Sequence, residues 1–163
     1  MNKQEIKICL WYDDQAEEAV RFYTSIFANS ETGQVSRFGK EGFEHHGRPE
    51  GTAMSIEFSL NGMKFIAMNG GPLFRFNESA SVVVFCDTQE EIDHYWSRLT
   101  EGGTEQPCGW LKDKYGLSWQ IQPAVFPGWL AEVDPMRKER VLKAAFQMTR
   151  FDLAKLQEAY DGK

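Results

Sequence analysis

Cys108-Gly109-Trp110-Leu111-Lys112-Asp113-Lys114-Tyr115-Gly116-Leu117-Ser118-Trp119-Gln120-Ile121-Gln122-Pro123 is the stretch of this chain from which its fold is read most directly. Two short runs flank a turn at Lys114-Tyr115-Gly116. The second run, Leu117 to Gln122, puts Leu117, Trp119 and Ile121 on one face of a strand and Ser118, Gln120 and Gln122 on the other. This is the alternation of a half-buried β-hairpin, and Pro123 ends it. Its indoles serve either as core packing or, with the glutamine amides, as the wall of an open ligand pocket.

Working outward, a second hairpin precedes this one. Met54, Ile56, Phe58 and Leu60 alternate with Ser55, Glu57 and Ser59, Asn61-Gly62 turns the chain, and Met63 to Met68 returns it. Each hairpin follows a strand and a helix. Ile6 to Tyr12 is an apolar strand closed by Asp13-Asp14, which have N-cap chemistry, and Ala16, Ala19, Val20, Tyr23 and Phe27 recur at helical spacing. Gln34 to Phe38 is a short strand, and the glycine-rich, charged Gly39 to Gly51 is a mobile surface loop. In the second half Ser81 to Cys86 is a strand, Asp87 is the N-cap, Ile92, Tyr95, Trp96 and Leu99 mark a helix, and Gly102-Gly103 stops it. A weak strand falls near Gly103 to Gln106. Pro127 and Pro135 bracket an irregular stretch, and two further helices follow over Met136 to Phe146 and Phe151 to Tyr160.

Shifting the chain by 73 positions superposes Asp14 on Asp87, Glu17 on Glu90, Glu18 on Glu91, Phe22 on Tyr95 and Tyr23 on Trp96. Each half therefore reads strand, helix, then three strands. One such unit cannot cover both faces of its own sheet, so two are expected to pair around a concave, strand-lined cleft.

At 163 residues the chain is one domain by length, large enough to bury a core without a staple. Its three cysteines, Cys9, Cys86 and Cys108, have no metal-type spacing and follow no secretory signal, so they read as reduced thiols of a cytoplasmic protein. Cys9 and Cys86 lie in apolar runs and are expected in the core. Eighteen Lys and Arg against twenty-four Asp and Glu leave a net charge of −6, which opposes binding to nucleic acid or an anionic membrane. The apolar runs are too short to span a bilayer.

The duplicated βαβββ order is joined by the wording of four segments: LWYDDQAEEAVRFYTSIF (Leu10 to Phe27), MSIEFSLNG (Met54 to Gly62), SVVVFCDTQEEIDHYWSRLTEGG (Ser81 to Gly103) and CGWLKDKYGLSWQIQP (Cys108 to Pro123). Together they resemble the vicinal oxygen chelate superfamily of glyoxalase I, bleomycin-resistance proteins and extradiol dioxygenases. Within it the chain is similar to the PhnB-like group, labelled 3-demethylubiquinone 3-methyltransferase, whose C-terminal helix MTRFDLAKLQEA (Met148 to Ala159) also resembles. The resemblance implies an α+β fold of two paired βαβββ modules with C-terminal helices. The domain would occupy 1–126, with modules at about 1–70 and 78–126, and a helical extension 127–163. It also implies a homodimer, since superfamily members usually pair these units with a partner chain. The apolar tail, with Val141, Leu142, Phe146, Phe151, Leu156 and Tyr160, must dock either on its own sheet or on that partner.

In the superfamily's metal enzymes, one ligand comes from the first strand and one from the last strand of each half, usually His or Glu. Those positions fall here at Lys7 or Ile8, at Ile66 or Ala67, at Ser81 and at Gln120. Only Ser81 and Gln120 offer even a neutral oxygen, so the resemblance implies a chelating site that has been erased, and no metal. The methyltransferase label implies a cofactor site. Asn69-Gly70-Gly71-Pro72 is the only glycine cluster after a strand, and no helix follows it, so no S-adenosylmethionine or other cofactor is expected.

Chemistry must come from what remains. His45 and His46 are adjacent in the most loop-like segment and read as solvated, and His94 reads as a surface residue of the second helix. Glu57 is the best general base if the polar face of its strand lines the cleft, and a solvent-facing carboxylate otherwise. Cys108 opens the tryptophan hairpin without a dedicated His or cation to activate it. The ligand-binding candidates are Trp11, Phe65, Phe74, Phe76, Ser81, Trp110 and Gln120. Strand parity and the resemblance together send Gln120 toward the cleft and pack Trp119 behind it. Two functions follow: a binding protein for a small molecule, or a lyase, isomerase or transferase that acts on a small oxygenated substrate through a relic of the chelating site.

Overall fold

The offset of 73 relates the first strand and helix of the two halves in the computed structural model, which describes residues 4–163. Residues 1–3, the start of the expected first module, lie outside the described residues. The first half runs β1 (Ile8–Tyr12), α1 (Ala16–Ile26), β2 (Ser30–Arg37), a helical turn α2 (Phe43–His46), β3 (Ala53–Leu60) and β4 (Met63–Asn69). The second runs β5 (Ser81–Cys86), α3 (Gln89–Leu99), β6 (Thr104–Glu105), β7 (Trp110–Lys112) and β8 (Ser118–Pro123). Three helices complete it: α4 (Phe126–Leu130), α5 (Pro135–Ala145) and α6 (Leu153–Asp161). The chain divides between residues 75 and 76 into two units, and the three helices belong to the second. The class is α+β, with two four-stranded sheets of like order, β1-β4-β3-β2 and β5-β8-β7-β6.

In the first unit Asn61 and Gly62 both adopt positive φ, which suits the primed turn of a two-residue hairpin, and this sets Leu60 opposite Met63. Every later pair follows from that register. Ile56, Phe58 and Leu60 face the same way as Phe65 and Ala67, and α1 buries Ala19, Val20, Tyr23 and Ile26 on this side. Tyr23 stacks on Phe58 at 6.2 Å and Phe58 on Phe65 at 5.0 Å.

The start of α1 corrects the expected cap. Neither Asp13 nor Asp14 caps it: Gln15 stands at the N-cap without a side-chain capping bond, and the Oδ1 of Asn69 accepts the Ala16 N–H at 2.9 Å. The Asn69 amide also donates to the Ala53 carbonyl at 2.9 Å, so this buried side chain ties β4, β3 and α1 together. In α3 the cap is Thr88, one residue after the expected Asp87, and it accepts from the Glu91 N–H. Glu91 returns the bond to the Asp87 N–H at 2.7 Å. Two segments read as irregular contain short helices, α2 within Gly39 to Gly51 and α4 after Val125.

Asp113 organises the second hairpin. Its carboxylate is 3% exposed and accepts the Tyr115 and Leu117 N–H groups at 2.9 and 3.1 Å and the Trp119 indole N–H at 2.9 Å. The tail docks within its own unit. Phe126, Trp129, Val141, Ala145, Phe151 and Leu156 form one buried cluster, and the N–H groups of Cys108 and Gly109 donate to Met148 and Thr149 at 2.8 Å each. Gly109 has φ +77°, and a Cβ there would lie 2.7 Å from both the Ile121 carbonyl and the Phe151 ring.

Asp113→Asn keeps the size but turns an amide N–H toward one of the donors. We expect it to destabilise the protein by about 2 to 3 kcal/mol, the penalty of an unpaired buried polar group. Urea unfolding should show a lower midpoint at an unchanged m-value.

Candidate functional site

A single helix covers one face of each sheet, and strand parity puts polar side chains on the other. On the first sheet Ile66 lies between Cys9 and Glu57 in register, and Ser59 lies between Lys64 and Glu31. Lys7, just before β1, donates to Glu57 at 2.8 Å and lies 3.2 Å from Glu5, which also pairs with Lys64. Hydrogen bonds to Glu57 and then Glu5 raise the Lys7 pKa, and those to Lys64 and then Lys7 lower that of Glu5. A cavity of about 160 Å³ opens here, lined by Lys7, Glu31, Gly33, Glu57, Ser59 and Lys64. Gly33 sits where β2 slips register against β3, and a Cβ on it would press on the Glu57 Cβ at 3.3 Å.

At the far end of this sheet Trp11 is held firmly. Its indole donates to the Gly71 carbonyl at 2.8 Å and meets Phe74 edge-on at 4.9 Å, and a Cβ on Gly70 would fall inside its ring. Arg48 donates to the Asp13 carbonyl and carboxylate at 2.6 and 3.0 Å beside it. The Asn69-Gly70-Gly71 segment is thus accounted for by a helix cap, an indole seat and an indole acceptor.

On the second sheet a ladder of neutral groups runs across β8 and β5. Gln122 donates to Gln120 at 2.7 Å, and Gln120 donates to the Ser81 hydroxyl at 2.9 Å. Trp110 stands opposite Gln120 on β7, and Val83 and Phe85, 39% and 55% exposed, alternate with buried Val84 and Cys86 on β5. The Ser118 hydroxyl, in register with Ser81 and Lys112, is buried and has no hydrogen-bond partner among the described residues. Lys112 holds Glu78 at 2.5 Å and lowers its pKa. Trp119 is 1% exposed on the opposite face, as strand parity requires.

The structure therefore brings together Trp11 with Phe74 in the first unit, and Ser81, Trp110 and Gln120 in the second. Phe76 is half-buried at the start of the second unit. Phe65 shares the helix-covered side with Phe58 and is 1% exposed in the core, and it also borders the cavity beside Lys7. Cys9 is corrected, because its parity places it on the uncovered face and it is exposed. Glu57 is engaged by Lys7. The Cys108 sulfur lies 3.7 Å from the Ala145 carbonyl, a partner unable to activate a thiol. His45 is exposed beside Glu44, and His46 stacks on Phe38 and accepts the Arg48 N–H at 2.9 Å. Glu31 and Lys64 went unnoticed in the sequence and Lys7 was noticed there only as an erased ligand position, although the Asn-Gly register alone sets Lys64 opposite Ser59.

The superfamily's metal does not fit these residues. Lys7 is an ammonium bound to a carboxylate, Ile66 carries no donor atom, and Ser81 and Gln120 are neutral and bonded to each other. No group of three or more His, Cys, Asp or Glu is arranged to hold a metal ion among the described residues. No helix there is long and apolar enough to cross a membrane.

The family described as 3-demethylubiquinone-9 3-methyltransferase matches residues 4–122. Among solved structures, a PhnB protein from Bacillus cereus, described as a candidate 3-demethylubiquinone-9 3-methyltransferase, is 36% identical, covering 72% of this chain and 98% of its own, with a TM-score of 0.64. The fosfomycin resistance protein FosX from Mesorhizobium loti is 14% identical, covering 81% of this chain and 100% of its own, at a TM-score of 0.55. A FosX variant from Listeria monocytogenes, complexed with Mn(II) and a dihydroxypropylphosphonic acid, is 19% identical, covering 76% and 91%, at 0.51. These two show likeness of fold. Comparison with curated proteins returns no match.

The thiols give a direct check of this placement. Burial, then Glu91 and Asp87, push Cys86 up to about 12. At pH 8 a thiol reagent should modify Cys9 and leave Cys86 untouched until the protein unfolds. Because the folded state holds the Cys86 proton more tightly, that contribution to stability should fade as the pH rises from about 9 toward 12.

Proposed function

The chain belongs to the 3-demethylubiquinone-9 3-methyltransferase family, the PhnB-like branch of the vicinal oxygen chelate superfamily, and from that premise we propose that it binds a small organic molecule without a chelated metal. The observation that carries this reading is the bond from Gln120 to Ser81. Two positions that would hold a metal in the superfamily's enzymes instead satisfy each other as neutral groups, beside the Trp110 ring and exposed Phe85. Aromatic faces and amides recognise planar or hydroxylated molecules by stacking and hydrogen bonding. Trp11 and Phe74 offer a second aromatic surface on the first unit.

The family description names a methyltransferase, yet the glycine segment after β4 already serves Trp11 and α1, which supports a protein without a cofactor. A cytoplasmic homodimer is part of the proposal. Exposed Met54, Val83 and Phe85 are apolar surface that a second chain would remove from water. The enzymatic alternative, a lyase, isomerase or transferase, draws support from one feature. Lys7 remains an ammonium to high pH beside Glu57, which supplies a positive charge and a carboxylate base on one uncovered face.

Native mass spectrometry of freshly purified protein should show a dimer that carries a small organic ligand and no metal. Gln120→Ala and Trp110→Ala should each weaken retention of that ligand about tenfold, equivalent to roughly 1.4 kcal/mol. A stoichiometric transition metal lost on Gln120→Ala would refute the reading.

A further inference from the structure

The cavity on the first sheet is balanced in charge but not in pairing. Its lining holds two ammonium groups, Lys7 and Lys64, and two carboxylates, Glu31 and Glu57. Lys7 answers Glu57 at 2.8 Å. Glu31 has no ion-pair partner among the described residues, although it and Lys64 both stand opposite Ser59. Lys64 takes its carboxylate from outside the lining, from Glu5 in the segment before β1. Glu5 and Lys64 side chains are 47% and 56% exposed, and ion pairs so exposed are weak and readily exchanged.

We propose that this cavity is a site for a small zwitterionic amino acid and that Glu5 is a built-in placeholder for its carboxylate. The ligand's carboxylate takes the place of Glu5 on Lys64 and Lys7, and its ammonium meets the unpaired Glu31. With Glu5 displaced, the lining sums to zero charge, so a zwitterion matches it group for group. A simple anion would leave Glu31 unanswered, and a simple cation would leave Glu5 in place. Gly33 keeps the space above Glu57 clear of a side chain. The lowered pKa of Glu5 is consistent with a carboxylate already seated on two lysines.

This rests on the small-molecule reading and adds the ligand's charge class. Three probes of similar carbon skeleton test it on the full chain: L-norvaline, pentanoate and butylamine, followed by amide chemical shifts around Lys7, Glu31 and Lys64. Norvaline should bind at least about tenfold more tightly than either singly charged probe. Glu31→Gln should abolish that preference, and Glu5→Gln should tighten norvaline several-fold. Both side chains lie at the surface, so the variants should fold, which the unchanged remainder of the spectrum will show. Pentanoate binding as well as norvaline would overturn the zwitterion and leave a small-molecule site standing. Failure of all three probes to shift these residues, or a Glu5→Gln variant that binds no better, would overturn the site itself. The Gln120 and Trp110 variants test the second sheet separately.

Discussion

A carboxylate can be buried only where donors surround it, and the Asp113 carboxylate is surrounded by two backbone N–H groups and an indole. Its position has consequences along the whole hairpin. By holding the Trp119 indole inward, it decides which way every residue of β8 points, because a one-residue slip would exchange the two faces. Gln120 and Gln122 are thereby turned outward, toward Ser81 and Trp110. The first unit reaches the same end with a neutral group. The Asn69 amide holds the start of α1 against β3 and β4, α1 then covers Phe58 and Phe65, and Lys7 and Glu57 are left on the other side.

This dependence explains which features were legible in the sequence. The repeat was readable because α1 and α3 keep the same offset, and the faces of Trp119 and Gln120 were readable from alternation alone. Caps were not. Asp13, Asp14 and Asp87 have suitable chemistry, but the first helix takes its cap from Asn69, far along the chain, and the second from Thr88. Phe65 was chosen for being aromatic, although the Asn-Gly register already placed it beside Phe58. Cys9 was judged by the apolar run around it rather than by its parity. The contact of Lys7 with Glu57 depends on β1 lying parallel to β4, a long-range pairing that no local pattern announces.

The two uncovered faces differ in chemistry despite their shared topology. The first carries the full charges of Lys7, Glu57, Lys64 and Glu31, and the second carries neutral amides, hydroxyls and rings with one charged pair, Lys112 and Glu78, beside them. Charged pairs respond to ionic strength, whereas the amide ladder does not, so salt acts more on the first face than on the second. Duplication supplied one architecture, and the outward-facing side chains on each copy have since been specialised apart.

The pairing of Cys108 and Gly109 with Met148 and Thr149 bears on how the protein is made. The sheet of the first unit closes on partners that all precede residue 75. The second unit must wait, because the acceptors for its hairpin lie forty residues later, near the end of the chain. During synthesis the first unit can therefore form while the second still exposes Phe126 and Trp129 to the cell. Until α5 and α6 emerge, that apolar surface lacks the partners that bury it and is open to misassembly.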